Sequence, residues 1–214
     1  MSLRVGADGV RLTVPPRVGA GRIEAFLRAQ EGWVAEQRAR LPPAPAGLRH
    51  GDALALLDGA LLLNAAEVRR ASRRGDVLDA PACDLDRAVE RWYREEALRL
   101  TARRADALAA RLGVRAAGVS VRDPRARWGS CSSSGRLSFS WRLVLAPEAV
   151  LDYVVAHEVC HLLRRDHSPA FWALVAQALP GHGPARAWLR RHGDLLHRGP
   201  GWREGAPAAA LSPA

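Results

Sequence analysis

Apolar residues alternate with polar ones at Val10, Leu12 and Val14, after Arg4-Val5-Gly6-Ala7 and Asp8-Gly9. This pattern predicts a hairpin over 1–16 that Pro15-Pro16 ends. The spacing then lengthens to that of a helix over 21–40, through Ile23, Phe26, Leu27, Trp33 and Val34, with Gly32 weakening its middle. Pro42-Pro43-Ala44-Pro45 makes a stiff connector. A second Asp-Gly signal, Asp58-Gly59, separates Leu54-Ala55-Leu56-Leu57 from Ala60-Leu61-Leu62-Leu63 and predicts another hairpin. A further strand pair is expected around Arg73-Arg74-Gly75-Asp76. The chain to residue 80 therefore reads as a β-rich unit with one helix, serving support or substrate contact.

Asp84 is placed to cap a long helix running to Leu112, with Leu85, Val89, Trp92, Leu100 and Leu108 inward and Gly113 as its stop. Trp92 and Tyr93 read as core and rim residues. Strands follow at 118–121 and 137–141, expected to pair antiparallel. The long polar loop between them contains Arg127-Trp128-Gly129-Ser130-Cys131. Its composition is too specific for a linker, so either it flanks a functional cleft or Trp128 pins it to the core. Pro147 is expected at the first position of an apolar helix over 148–164. Another helix is predicted over 169–179, then a break at Pro180-Gly181, a short helix near 184–192, and an Ala- and Pro-rich frayed tail.

The apolar helix carries the chemistry. His157-Glu158-Val159-Cys160-His161 places two imidazoles four residues apart on one helical face, so that both can meet one metal ion with Glu158 beside it. A catalytic zinc takes three protein ligands and leaves one position open, so a third must come from outside the helix. His167 is the best candidate. Ser168 suits an N-cap and Pro169 a first helical position, leaving His167 in a turn from which it can fold back. The rival reading is a core helix whose histidines and glutamate merely hydrogen-bond. It is weaker because three ionisable groups on an apolar helix are costly without a metal. His182, His192 and His197 read as surface or capping residues.

Composition narrows the setting. At 214 residues the chain can hold one sizeable core, or a catalytic domain with a smaller companion. No stretch has the length of a membrane span, and the N-terminus lacks the apolar core of a secretory signal. Cys83, Cys131 and Cys160 show no paired spacing, which fits a reducing compartment and a cytoplasmic location. Cys160 reads as a core residue. The net charge of +10 comes entirely from arginine, since the sequence has no lysine. The arginine doublets are scattered, so they read as solvated surface; a nucleic-acid partner is possible but not favoured.

The segments Arg127 to Ser132, Leu137 to Leu143, Tyr153 to His161 and His167 to Trp172, taken together, resemble the YgjP-like family of predicted zinc metallopeptidases. That family is similar to the SprT-like and WLM zincins. The resemblance covers about residues 83–192 and, more loosely, the N-terminal hairpin and helix. It implies a small zincin-type α+β fold, with an antiparallel sheet packed on the HExxH helix and the β-rich unit before it. It also implies a zinc ion on His157, His161 and His167, with Glu158 as base. The spacing to His167 equals that of metzincins, but Arg164 stands where they have glycine and no Met-turn follows. The expected organisation is a unit over 1–80, a metallohydrolase domain over 83–200 and a tail over 201–214.

Metal-assisted hydrolysis is the chemistry this layout suits. A peptide substrate would pair with an edge strand such as 136–142, with Arg127 and Trp128 as substrate contacts and Tyr153 or Arg127 as candidates for the oxyanion. The same chemistry would serve a phosphoanhydride such as a nucleotide, held by Arg125, Arg127, Arg164 and Arg165. A third reading is a nucleic-acid-associated module with structural zinc. It leaves Glu158 without a purpose.

Overall fold

The computed structural model describes residues 1–6, 9–40 and 47–200. The Asp8 half of the expected first turn, the connector at Pro42, Pro43 and Pro45, and the tail from residue 201 lie outside the described residues. Two compact units are present, Met1–Ala46 and Gly47–Ala214. The first holds strands β1 (Ser2–Gly6) and β2 (Gly9–Thr13) and helix α1 (Ala20–Arg40). The strands are antiparallel, with Leu3 opposite Leu12 and Val5 opposite Val10, so apolar pairs share a face as the alternation requires.

In the second unit a four-stranded sheet has β3 (Ala53–Leu56), β4 (Gly59–Ala66), β5 (Ser72–Arg74) and β6 (Val77–Pro81) in the order β3-β4-β6-β5. Sequence grouped these strands with the N-terminal unit. Instead they share a core with the helices after them: Leu54, Leu63 and Leu78 are buried in one cluster with Val89, Tyr93 and Leu143. The Tyr93 hydroxyl donates to the Ala55 carbonyl at 2.6 Å.

The second hairpin turns one residue earlier than Asp58-Gly59 suggested. Leu56 pairs with Gly59, so the loop is Leu57-Asp58 and Leu57 adopts φ +52. What outweighs the preference for Asp-Gly is the use of both loop residues elsewhere. Leu57 N–H donates to the Val144 carbonyl at 2.7 Å, and the Asp58 carboxylate accepts from the Glu148 N–H at 3.2 Å. Asp58 thus caps a helix 90 residues away, the one that carries the metal motif.

Helix α2 (Leu85–Arg111) runs along both sheets, and Gly113 follows it at φ +68. Asp84 stands at its N-cap without a side-chain cap bond, because a short turn at Ala82–Asp84 leads into the helix. A three-stranded sheet follows in the order β7-β9-β8, from β7 (Gly118–Arg122), β8 (Gly129–Cys131) and β9 (Arg136–Ser140). The pair expected to be antiparallel, β7 and β9, is parallel. The loop assumed to be irregular supplies β8, which pairs antiparallel with β9 through the turn at 132–135. The chain therefore crosses from β7 to the far side of β9 and enters β9 in the direction of β7.

Helices α3 (Glu148–Cys160), α4 (Pro169–Ala178) and α5 (Gly183–Leu196) complete the unit. Pro147 occupies the cap of α3 and not its first position. The regular helix ends at Cys160, one turn before the expected stop, and α5 extends to Leu196, beyond the short element expected there. Arg104 of α2 binds Asp152 at 2.7 Å and also Glu148, locking the start of α3. Among the described residues no helix is long and apolar enough to cross a membrane.

Candidate metal centre

The early end of α3 makes the site. His157 lies in its last turn and His161 is its C-cap, followed by a tight turn in which the Arg164 N–H donates to the Cys160 carbonyl at 2.9 Å. His161 Nδ1 lies 2.9 Å from the Arg164 carbonyl, which can only accept. The proton is therefore on Nδ1, leaving Nε2 as a lone pair. The chain reverses through Asp166, and the Ser168 hydroxyl caps α4 by accepting from the Phe171 N–H, with Pro169 in the first turn, as its sequence predicted. That corner returns His167 to α3.

His157, His161 and His167 are gathered into one group able to hold a metal ion. His157 Nε2 is 3.2 Å from the Nε2 atoms of both His161 and His167. Ligand nitrogens on a tetrahedral zinc with bonds of about 2.0–2.1 Å stand about 3.3 Å apart, so the two separations from His157 match such an ion, while the candidate ligand atoms as a group lie within 4.8 Å of one another. Phe171 forms the floor beneath them: its ring is stacked on His161 at 4.4 Å and lies 5.0 Å from both His157 and His167. Burial pushes His157 down to about 4, helped by its neighbouring histidines, and also lowers His161. Neutral imidazoles are the form a metal requires. Among the described residues His157 Nδ1 is buried without a hydrogen-bond partner.

Glu158 is buried, and burial pushes its carboxyl up to about 7 against the opposing pull of Arg127. It rests on β8: a Cβ built at Gly129 would lie 2.6 Å from the Glu158 Cγ and Oε1. A glycine is required there for close approach, which explains that residue in the Arg127-Trp128-Gly129 run. Trp128 lies on Gly193 of α5, whose Cβ would meet the indole at 3.1 Å, and stacks on His197 at 5.0 Å. It pins the loop to the core, the second of its two sequence readings. Arg127 is exposed on the Glu158 side.

Strand β9 is central, so the segment 136–142 offers no free edge; β8 does. The Trp128 carbonyl accepts from Ser140 N–H and the Ser132 N–H donates to the Arg136 carbonyl, so residues 128, 130 and 132 face β9. The backbone groups of Gly129 and Cys131 face outward. The Cys131 thiol is raised chiefly by burial, with the charges of Arg165 and Glu158 acting on it in opposite senses. Arg165 is engaged, donating to the Ser132 and Ser133 carbonyls at 2.9 and 2.8 Å. Arg125 and Arg164 are exposed.

Tyr153, a candidate for the oxyanion from sequence, stands in a row of rings whose contacts the sequence did not show. Tyr153 is 6.1 Å from His157 and stacks on His182 at 6.0 Å, and His182 in turn stacks on Trp172 at 6.3 Å. His182, read from sequence as a surface or capping residue, is the N-cap residue of α5 and also belongs to this aromatic wall. Arg186 covers Trp172, 4.1 Å from its centroid. Nothing local marks His182 and Arg186, because their aromatic neighbours come from α3 and α4.

The family profile described as YgjP-like, metallopeptidase domain, matches residues 1–192. No curated protein matches the chain. Two solved structures are similar over part of it. The metallopeptidase zymogen abylysin of Pyrococcus abyssi is 22% identical, covering 46% of this chain and 97% of its own, at a TM-score of 0.39. The zymogen jannalysin of Methanocaldococcus jannaschii is 15% identical, covering 44% and 96%, at 0.38. These overlaps are partial, and the family match is the one that carries weight.

Proposed function

The chain belongs to the YgjP-like metallopeptidase family, and from that premise we propose that it is a zinc-dependent peptidase, with His157, His161 and His167 as ligands and Glu158 as general base. The observation that carries the choice of residues is the approach of three Nε2 atoms, two of them 3.2 Å from the third, beside a buried carboxylate. Zinc bound there supplies a Lewis acid that brings the pKa of water toward about 7 and polarises a carbonyl. Glu158 accepts the proton of the attacking water and returns it to the departing amine. A carboxyl placed near neutrality by burial suits both halves of that transfer.

The outward backbone groups of Gly129 and Cys131 on the free edge of β8 can pair with an extended peptide, and this places its backbone next to Glu158. Tyr153, whose ring lies 6.1 Å from that of His157, is the candidate donor to a developing oxyanion.

Metal analysis of the purified protein should find about one zinc per chain. Glu158→Gln should keep that zinc and lower peptide turnover roughly 10²–10⁴-fold, the usual contribution of a general base. Turnover equal to that of the unaltered protein would remove Glu158 from this role.

A further inference from the structure

Arg186 stacks on Trp172, a ring beside the histidine cluster. Arg70, Arg74, Arg94, Arg99, Arg104 and Arg142 are paired with carboxylates, and Arg165 is engaged by two carbonyls. Among the described residues no carboxylate lies within ion-pair reach of Arg186. Its guanidinium carbon instead sits over the Trp172 ring, 4.1 Å from the centroid. That ring is 5.6 Å from the ring of His157 and 6.1 Å from that of His167. Arg186 is thus one aromatic ring removed from two of the metal-holding imidazoles.

Stacking fixes the fork while leaving it in water, since the side chain is exposed. Such a cation is pre-oriented for a planar, bidentate anion at little cost in desolvation or side-chain entropy. It is badly placed for an oxyanion, which would form at the metal, inside the imidazole cluster; Arg186 lies outside, on Trp172. The geometry points to Arg186 as a specificity determinant that takes the side-chain carboxylate of a substrate residue close to the scissile bond, so that acidic peptides are the preferred substrates.

This assignment rests on the peptidase reading, and its test is chosen to separate the two. Two peptide hydroxamates differing only in a glutamyl or a glutaminyl side chain are titrated into the zinc-loaded protein, and their dissociation constants are compared. One charge-assisted bidentate contact should favour the glutamyl compound by roughly tenfold. Arg186→Ala should bring the ratio to about one, and Arg186→Glu should invert it. Arg190→Gln, which removes a charge from the same helix, should leave it unchanged. Equal affinities in the unaltered protein overturn the proposal, as does a preference that survives Arg186→Ala. A nucleoside triphosphate that binds more tightly than the glutamyl compound, and loses this advantage in Arg186→Ala, also overturns it. If the ratio behaves as expected while no peptide is cleaved, the carboxylate site stands and the peptidase reading falls.

Discussion

The histidine corner and the β8 wall that faces it hold the same site by different means. His157, His161 and His167 share one helix end and one turn, where short-range features suffice: a tautomer fixed by the Arg164 carbonyl and a helix restarted by Ser168 and Pro169. Gly129 meets Glu158 only because β8 has been carried across β9 and laid against α3. On the proposed reading the corner would determine whether a metal binds, and the wall where the carboxylate beside it points. Damage to the two should therefore be separable.

The largest expected effect is on the corner. His167→Ala leaves two ligands and should weaken zinc binding by more than the roughly 10–100-fold that loss of an outer hydrogen-bond partner costs. Competition with a chelator measures this. Zinc affinity equal to that of the unaltered protein would remove His167 from the ligand set.

On the wall, Gly129→Ala should do the reverse. The added methyl would lie 2.6 Å from Glu158 atoms, and the cheapest relief is for that side chain to swing away, since its carboxylate is the movable end. Zinc content should be retained while turnover falls by roughly 10²–10⁴-fold, approaching Glu158→Gln. If Gly129→Ala turned over peptides normally, the contact would have no bearing on the base. Loss of zinc along with turnover would collapse the distinction between corner and wall.

This contrast also explains what could be read from sequence. Helix periodicity, the Ser168-Pro169 restart and the four-residue histidine spacing act over short distances, and each appears in the structure. The parallel pairing of β7 and β9 was not legible, because register between strands is decided by what lies between them, and β8 was taken for loop. The ring contacts of Arg186 and His182 were not legible because stacking against another helix leaves no periodic trace. The shifted hairpin turn is the same lesson at one residue: Asp58 looks like the first half of an Asp-Gly turn, and its actual partner is Glu148.

Asp58 offers a milder perturbation of the corner through its foundation. Asp58→Ala removes the acceptor from the Glu148 N–H and should cost about 1 kcal/mol, the usual worth of a helix cap. In a domain of this size that lowers Tm by roughly 2–4 °C. Asp58→Asn, which keeps an acceptor oxygen, should recover most of it. A melting temperature unaffected by the alanine would mean that the cap carries no weight.

The smallest effect concerns the segment that delivers β8. Asp123, just after β7, accepts from Arg142 Nε at 2.7 Å and from its terminal nitrogen at 3.0 Å, tying the crossing chain to the end of β9. Burial alone would raise the Asp123 carboxyl, but the Arg142 hydrogen bonds and charge, aided by Arg94, outweigh it and hold the group below its ordinary 3.8. A carboxyl whose folded pKa is depressed contributes stability that is present above the unfolded value and disappears as pH falls through the folded one. Asp123→Asn lacks this contribution at every pH. The gap in Tm between it and the unaltered protein should therefore be constant near neutrality and close below about pH 4. A gap that persisted at low pH would mean that Asp123 holds the crossing by shape and not by charge, and the wall would then be as insensitive to acid as the neutral bonds between β8 and β9.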